Sequence, residues 1–171
     1  QLEHAIIERC MNSLLSIVSS LSRPPELIIL LLRAQEFNDL KSCLNSIAAS
    51  DPLAPDIHAI PMYARIHFNA YPNLDSMLAD SGFEWILPYF KDTIQHGPGP
   101  ETLRSIFIKI DQQYYTDLCN ALGTVPESEI SGFRKLLEEE IQLKNASWVL
   151  RLHSYYSMTG DDIKPYLLGI P

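Results

Sequence analysis

The sequence is short of cysteine and basic residues, and it has no long apolar run. Each shortage removes a class of protein. Cys10, Cys43 and Cys119 are too few and too far apart for a disulfide framework, and no two form C-x-x-C. Free, mostly buried thiols in a reducing compartment are expected instead, with no zinc site. Lys and Arg number 13 against 21 Asp and Glu, a formal charge of −8 with His neutral. A nucleic-acid partner wants a basic patch, and none is visible. The longest purely apolar run is Leu27–Leu32, far below the roughly 20 residues of a spanning helix. Gln1-Leu2-Glu3-His4 is not a basic region followed by an apolar block, so no secretory signal is read there.

What is present is a globular composition. The 171 residues are 46% apolar and 20% charged. A chain of this size buries roughly 70% of its unfolded surface, enough for one core or two small ones. Residue 1 already lies inside a helical pattern without an N-cap, and the last residues begin a new segment. A piece of a longer chain is expected.

Helix is the dominant period. Leu2, Ile6, Cys10 (or Met11), Leu14, Ile17 and Leu21 give a stripe over 1–21. Pro24-Pro25 breaks it and starts the next helix, over 25–49. Prolines deny regular structure to 50–61. Residues 62–71 alternate like a strand, but an isolated strand is not stable alone, so extended or irregular backbone is expected. Short helices are expected over 74–80, ended by Ser81-Gly82, and over 83–94, kinked or interrupted at Pro88. His96-Gly97-Pro98-Gly99-Pro100 reads as a hinge-like linker. A helix then runs from Glu101 to Leu122, with Leu103, Phe107, Ile110, Tyr114, Leu118 and Leu122 on one face. Thr124 and Glu127 have the spacing of a capping box for a long helix over 127–157. Its apolar face is read as Phe133, Leu136 (or Leu137), Ile141, Leu143, Ala146, Val149 (or Leu150) and Tyr156. Its polar face has Arg134–Glu138, Lys135–Glu139 and Glu140–Lys144 at i,i+4. Gly160 is expected to end it, before a last short helix over 161–168.

The two halves resemble each other. At an offset of 101, Leu2 pairs with Leu103, Ile7 with Ile108, Leu21 with Leu122, Pro25 with Pro126 and Glu26 with Glu127. At 106, Leu30 pairs with Leu136, Leu31 with Leu137, Phe37 with Leu143 and Leu44 with Leu150. Each half is helix, proline-marked turn, long helix. A repeat near 100 residues is too long for a typical solenoid unit and fits two copies of a small helical domain.

No catalytic constellation emerges. His4, His58, His67, His96 and His153 lack ligand spacing and read as surface, loop or helix-face histidines. Cys43 and Cys119 read as small core residues, with no base beside them. The prolines around Gly97 and Gly99 remove the N–H groups that a phosphate cradle uses. Asn145-Ala146-Ser147 matches the glycosylation triplet but lies mid-helix. Glu138-Glu139-Glu140 reads as a solvated face. In each of Tyr114-Tyr115 and Tyr155-Tyr156, one ring should be core and the other boundary. No catalytic, cofactor-binding or metal residue is assigned, and no cofactor is implied.

Several stretches together resemble the C-type rotor component of the archaeal and bacterial V-type (A-type) ATPases, counterpart of the d component of the eukaryotic vacuolar ATPase. Ile110-Asp111-Gln112-Gln113-Tyr114-Tyr115-Thr116-Asp117-Leu118 is similar to that family's L-D-x-x-Y-Y-x-x-L helix. Leu136 to Asn145, running on through Leu150-Arg151, and Leu30 to Lys41 resemble two further helical motifs, although Asp39 stands where the family has Asn, Ser147 stands where it usually has Lys, and Trp148 is unexpected. Gly82 to Leu87, Thr159-Gly160 and Pro165 to Pro171 resemble others. The resemblance implies an all-α fold of repeated helical-hairpin domains. It implies 1–61 as the end of one domain, 62–157 as a second, and 158–171 as the start of a further one. It also implies a non-catalytic socket between the central stalk and the membrane rotor ring, cytoplasmic and peripheral to the membrane, with no direct span. A generic helical adaptor is the other reading of the residues.

Overall fold

The structure, a computed structural model, describes residues 2–51, 53–91 and 97–169. These residues form helices, turns and irregular backbone, with no strand among them. The fold is all-α, as expected. The chain divides into two compact units, Gln1–Phe107 and Ile108–Pro171. The boundary between them falls inside a helix.

The first unit opens with α1, Leu2–Ser19, and α2, Glu26–Ala48. Pro25 precedes α2 at φ −59° and ψ 143°, a conformation its ring favours and one that points the chain into a helix. Leu27, Leu30, Leu32, Phe37, Leu40, Cys43 and Leu44 are buried along α2. They span much of its circumference, which a helix enclosed on several sides requires. Among the described side chains of α1, Val18 is buried, while Ile6 and Ile17 are exposed.

Residues 57–66 form no regular element, and side chains of α2 take the N–H groups of His58, Ala59, Arg65 and Ile66. Phe68–Ala70 then makes one turn of 3-10 helix. The short helix α3, Leu74–Leu78, starts where the Asn73 side chain accepts the Ser76 N–H at 3.0 Å. Asp80 at φ 56° and Gly82 at φ 85° turn the chain sharply after it. The buried Ser81 hydroxyl secures that turn, donating to the Leu78 carbonyl at 2.7 Å and accepting the Phe83 N–H at 3.1 Å.

The expected helix over 83–94 is corrected. Glu84–Ile86 is 3-10 and α4 covers only Leu87–Lys91. Pro88 sits in the first turn of α4, where its missing N–H costs nothing, so it starts a helix rather than interrupting one. The remainder of the expected helix, and His96 of the linker, lie outside the described residues. Gly97 is not a free hinge point. A Cβ there would meet the Ala48 Cα at 2.6 Å, so its backbone packs directly on the end of α2.

Helix α5, Pro100–Leu122, enters the second unit. It turns through Gly123–Pro126 into α6, Glu127–Tyr156, about 45 Å long. Pro126 has φ −58° and ψ 137°, nearly the angles of Pro25. The Thr124–Glu127 capping box is not formed. The helix begins too late, and the Thr124 hydroxyl donates to the Ala121 carbonyl at 2.7 Å. A capping box forms instead at Thr159 and Asp162. The Thr159 hydroxyl, then its N–H, hold the Asp162 carboxyl below its usual range. Gly160 therefore opens α7, Gly160–Ile163, rather than ending α6. Ser157, left-handed at φ 52°, ends α6. A 3-10 turn, Lys164–Tyr166, follows α7.

Candidate functional site

The polar groups that the fold spends most on are buried and face backbone rather than an open cleft. In the first unit Arg33, Glu36 and Asp39 lie on successive turns of α2 and are 3%, 1% and 2% exposed. Arg33 Nε donates to Glu36 Oε2 at 2.6 Å. Glu36 Oε1 accepts the Arg65 and Ile66 N–H groups at 2.5 and 2.7 Å. Asp39 Oδ2 accepts those of His58 and Ala59 at 2.7 and 2.6 Å, and its other oxygen accepts Gln35 Nε2 at 3.0 Å. The His58 ring approaches that same oxygen at 3.5 Å. A buried carboxylate is tolerable when its lone pairs are filled in this way. Two side chains of one helix thus hold a loop that makes no ladder of its own.

The second unit has a smaller counterpart. The Asn145 amide donates to the Leu168 carbonyl at 3.0 Å and accepts the Leu168 N–H at 2.8 Å. Gln112 of α5 donates to the Pro165 carbonyl at 3.0 Å. Between α5 and α6, the Tyr115 hydroxyl donates to Glu140 and Lys144 pairs with Asp111 at 3.4 Å. Lys144 Nζ also lies 5.0 Å from the Tyr115 ring centroid. Burial, then the Glu140 carboxylate, pushes the Tyr115 phenol well above its ordinary range, and Tyr114 follows for the same reasons. These are protonated, packed tyrosines rather than bases.

Two of the thiols, Cys43 and Cys119, are equally poor reagents. Burial, then Asp39, pushes Cys43 up to about 11, so the thiolate that attacks or ligates is scarce. Burial also raises Cys119, against the lowering effect of Arg134. Cys10 is exposed, contrary to the expectation of mostly buried thiols. Among the described residues no three of His, Cys, Asp and Glu cluster closely enough to hold a metal ion. Two open grooves, of about 360 Å³ beside Ile57, Ile66 and Phe68 and about 300 Å³ beside Tyr115, Thr116 and Leu168, have no carboxylate in their linings.

Other expectations divide. Tyr115 is buried and Tyr114 half-buried, as the pairing rule requires. Tyr155 and Tyr156 are both exposed, at 81% and 47%, so neither is core. The face of α6 read as apolar is buried at Ile141 and at Leu137, the alternative to Leu136, but not along its whole length. Ile130, Leu137, Ile141 and Leu152 are buried, while Leu136, Leu143 and Leu150 are exposed. The expected i,i+4 pairs give way to longer links: Arg134 with Glu127 at 3.0 Å, Lys144 with Asp111, Glu140 with Tyr115. His153 lies on α6 as a polar surface residue, its ring nitrogen 3.2 Å from the Met158 carbonyl. Sequence reasoning missed the roles of Glu36, Asp39 and Asn145. Their signal was position: carboxylates and an amide in mid-helix, flanked by apolar residues.

The family profile of the ATP synthase (C/AC39) subunit matches residues 1–170. The chain belongs to that family. An uncharacterized protein of Treponema pallidum (strain Nichols) is 21% identical over 164 residues, covering 95% of this chain and 44% of that relative. The chain thus spans less than half the length of the curated relative it matches. No solved structure matches. Within this C/AC39 chain, the Ile110–Leu118 motif supplies Tyr115 and Asp111, both of which bind α6. The Leu30–Lys41 motif supplies the buried network. The motifs that carry the resemblance therefore hold helices and loops together. No helix of the described residues is long and apolar enough to cross a membrane.

Proposed function

We propose that this chain is part of a non-catalytic central-rotor socket in a V/A-type rotary ATPase. In this reading it links the central stalk to the membrane rotor ring and couples ATP turnover to proton or sodium transport. Membership of the C/AC39 family along residues 1–170 is the observation that carries it. The physical character of the chain supports it. Torque transfer needs stiff elements and broad contacts rather than a reactive side chain. Helix α6 runs for 30 residues, and the loops after both long helices are tied to them by buried or half-buried side chains. Packed tyrosines and a high-pKa buried thiol add no chemistry that a rotor part lacks. The place implied is the cytoplasmic face of the ATPase membrane sector, with no segment in lipid.

Affinity purification of the intact protein from its own cells tests this. Stoichiometric recovery of central-stalk and rotor-ring subunits is expected. Recovery of unrelated partners without them would replace the socket by a helical adaptor. ATP hydrolysis by the purified protein alone, lost on changing one polar residue, would replace it by an enzyme.

A further inference from the structure

One face of α6 is apolar, evenly spaced and uncovered. Leu136, Leu143 and Leu150 recur at every seventh residue and are 64%, 73% and 68% exposed. At about 100° per residue they point away from Leu137, Ile141 and Leu152, which are buried in the helix's own unit. At the 106-residue offset they correspond to Leu30, Phe37 and Leu44 of α2, which are at most 3% exposed. Residues 62–91 cover that face of α2, where the Phe83 ring meets Phe37 edge-on with centroids 5.5 Å apart. An exposed seam of large leucines marks a contact surface.

A spacing of seven is the period at which two helices stay in register along a shared seam. With the leucines at one core position of that heptad, the other core position falls on Gly132, Glu139, Ala146 and His153, all exposed. Their order has a sense. Ala146 stands midway between an acid, Glu139, and an imidazole, His153. Parallel pairing of two copies would set Glu139 against Glu139, a like-charge contact that costs affinity. Antiparallel pairing turns each Glu139 toward the other copy's His153. It also sets each Leu143 beside the other copy's Ala146, large against small. The two contributing surfaces are then identical, as a two-fold axis requires. His153 Nδ1 already lies 3.2 Å from the Met158 carbonyl, so Nε2 is the nitrogen that turns to the carboxylate.

We infer that α6 pairs with α6 of a second copy of this chain, antiparallel about a two-fold axis beside Ala146. Leu136, Leu143 and Leu150 form its apolar centre. Glu139 and His153 make two equivalent charge-assisted contacts, one on either side of the axis. The seam from Leu136 to His153 is about 25 Å long and one helix wide. That is less than the roughly 800 Å² each partner gives to a standard interface. A reversible dimer with a micromolar Kd is therefore expected, not a permanent one. The inference does not rest on the rotor reading, and its failure would leave that reading standing.

Sedimentation equilibrium of the intact protein, purified alone, tests the inference between about 1 and 100 μM. A monomer–dimer equilibrium in that range is expected. Leu143→Glu is expected to weaken it at least about tenfold with the circular dichroism spectrum unchanged, since the position is exposed. Should that variant fail to fold, charge exchange carries the test. Glu139→Lys is expected to weaken the dimer at least about tenfold, and adding His153→Glu is expected to restore it. Orientation is read from Leu136→Cys/His153→Cys oxidised with glutathione disulfide. The two positions lie about 25 Å apart on one helix, too far to bridge within a copy. A disulfide between them, found by peptide mass spectrometry, therefore joins two antiparallel copies. A protein monomeric throughout the range would overturn the inference, as would a dimer that Leu143→Glu leaves intact. Failure of the exchanged charges to restore the dimer, or 136–136 links in place of 136–153 links, would overturn it as well.

Discussion

Asp39 and Asn145 stand at the same place on the two long helices, and each binds the backbone of the segment that follows its helix. Asp39 takes two N–H groups, of His58 and Ala59. Asn145 takes one N–H and returns one to a carbonyl, both of Leu168. The difference between acid and amide follows the partners. Two donors suit an acceptor-only carboxylate, whereas a donor and an acceptor suit an amide.

Exchange of these side chains is therefore expected to cost stability in both directions. Asp39→Ala removes the acceptor of two N–H groups, and its expected cost is about 3 kcal/mol by urea denaturation. Asp39→Asn keeps one oxygen for them and is expected to cost about 1 kcal/mol. Asn145→Asp puts a carboxylate oxygen against the Leu168 carbonyl, and a loss of about 1–3 kcal/mol is expected. Equal losses for Asp39→Asn and Asp39→Ala would mean that charge, not the two hydrogen bonds, is what the loop needs.

Arg33 and Glu36 form a buried pair whose single removal should be worse than joint removal. Arg33→Met leaves the Glu36 carboxylate buried without its cation, at about 3–5 kcal/mol. The double change to Met and Leu still frees the Arg65 and Ile66 N–H groups, but it removes the uncompensated charge. A double-mutant cycle measured by denaturation is expected to give a favourable coupling of about 1 kcal/mol or more. Additive losses would assign the network no charge coupling.

Alkaline pH should loosen both units. Cys43 and Tyr115 have folded pKa values raised above their ordinary ones. The folded state thus holds protons that the unfolded chain gives up, and stability falls as pH rises past the unfolded values. For Cys43 the window runs from 9.0 to about 11, and the loss across it is at most about 2–3 kcal/mol. Cys43→Ala should flatten the stability profile in that window, and Tyr115→Phe should flatten it above about pH 10. An unchanged slope in Cys43→Ala, followed by denaturation at several pH values, would count against a buried, protonated thiol.

Buried and exposed apolar positions of α6 separate by substitution. Ile141, fully buried, should cost about 2–5 kcal/mol on change to Ala. Tyr155, at 81% exposure, should cost no more than about 0.5 kcal/mol. Thermal unfolding of the two variants distinguishes them, and a large loss at Tyr155 would return that ring to a core.

Much of the helical layout was legible because its marks are local. Pro25 and Pro126 set the start of α2 and α6 through ring geometry that no distant residue alters. The turn at Gly123 and the cap at Asn73 are of the same kind. Local marks misled where two of them competed. Thr124 had the spacing of a capping box, but its hydroxyl is used by the preceding turn. Gly160 looked like a helix end, but Thr159 and Asp162 on either side of it build a start.

The candidate site was less legible. Glu36 and Asp39 in an apolar helix carry no sign of their partners, which lie about 20 to 30 residues further on in a loop without periodicity. Nor does the pattern of α6 say which of its two apolar faces is covered. Leu137 and Leu143 are equally apolar in sequence, yet one is 2% and the other 73% exposed.

Periodicity, proline geometry and the shortage of cysteine and basic charge are properties of neighbouring residues. They sufficed for an all-helical fold. Burial and hydrogen-bond partnership are properties of residues brought together from far along the chain. Only the folded arrangement could reveal that Asp39 and Asn145 are matching anchors. It alone shows that the face of α2 carrying Phe37 is roofed by residues 62–91 while the matching face of α6 stands open. The physical reason is that solvent exclusion depends on what lies across from a side chain, and nothing in the spacing of the side chains themselves encodes that.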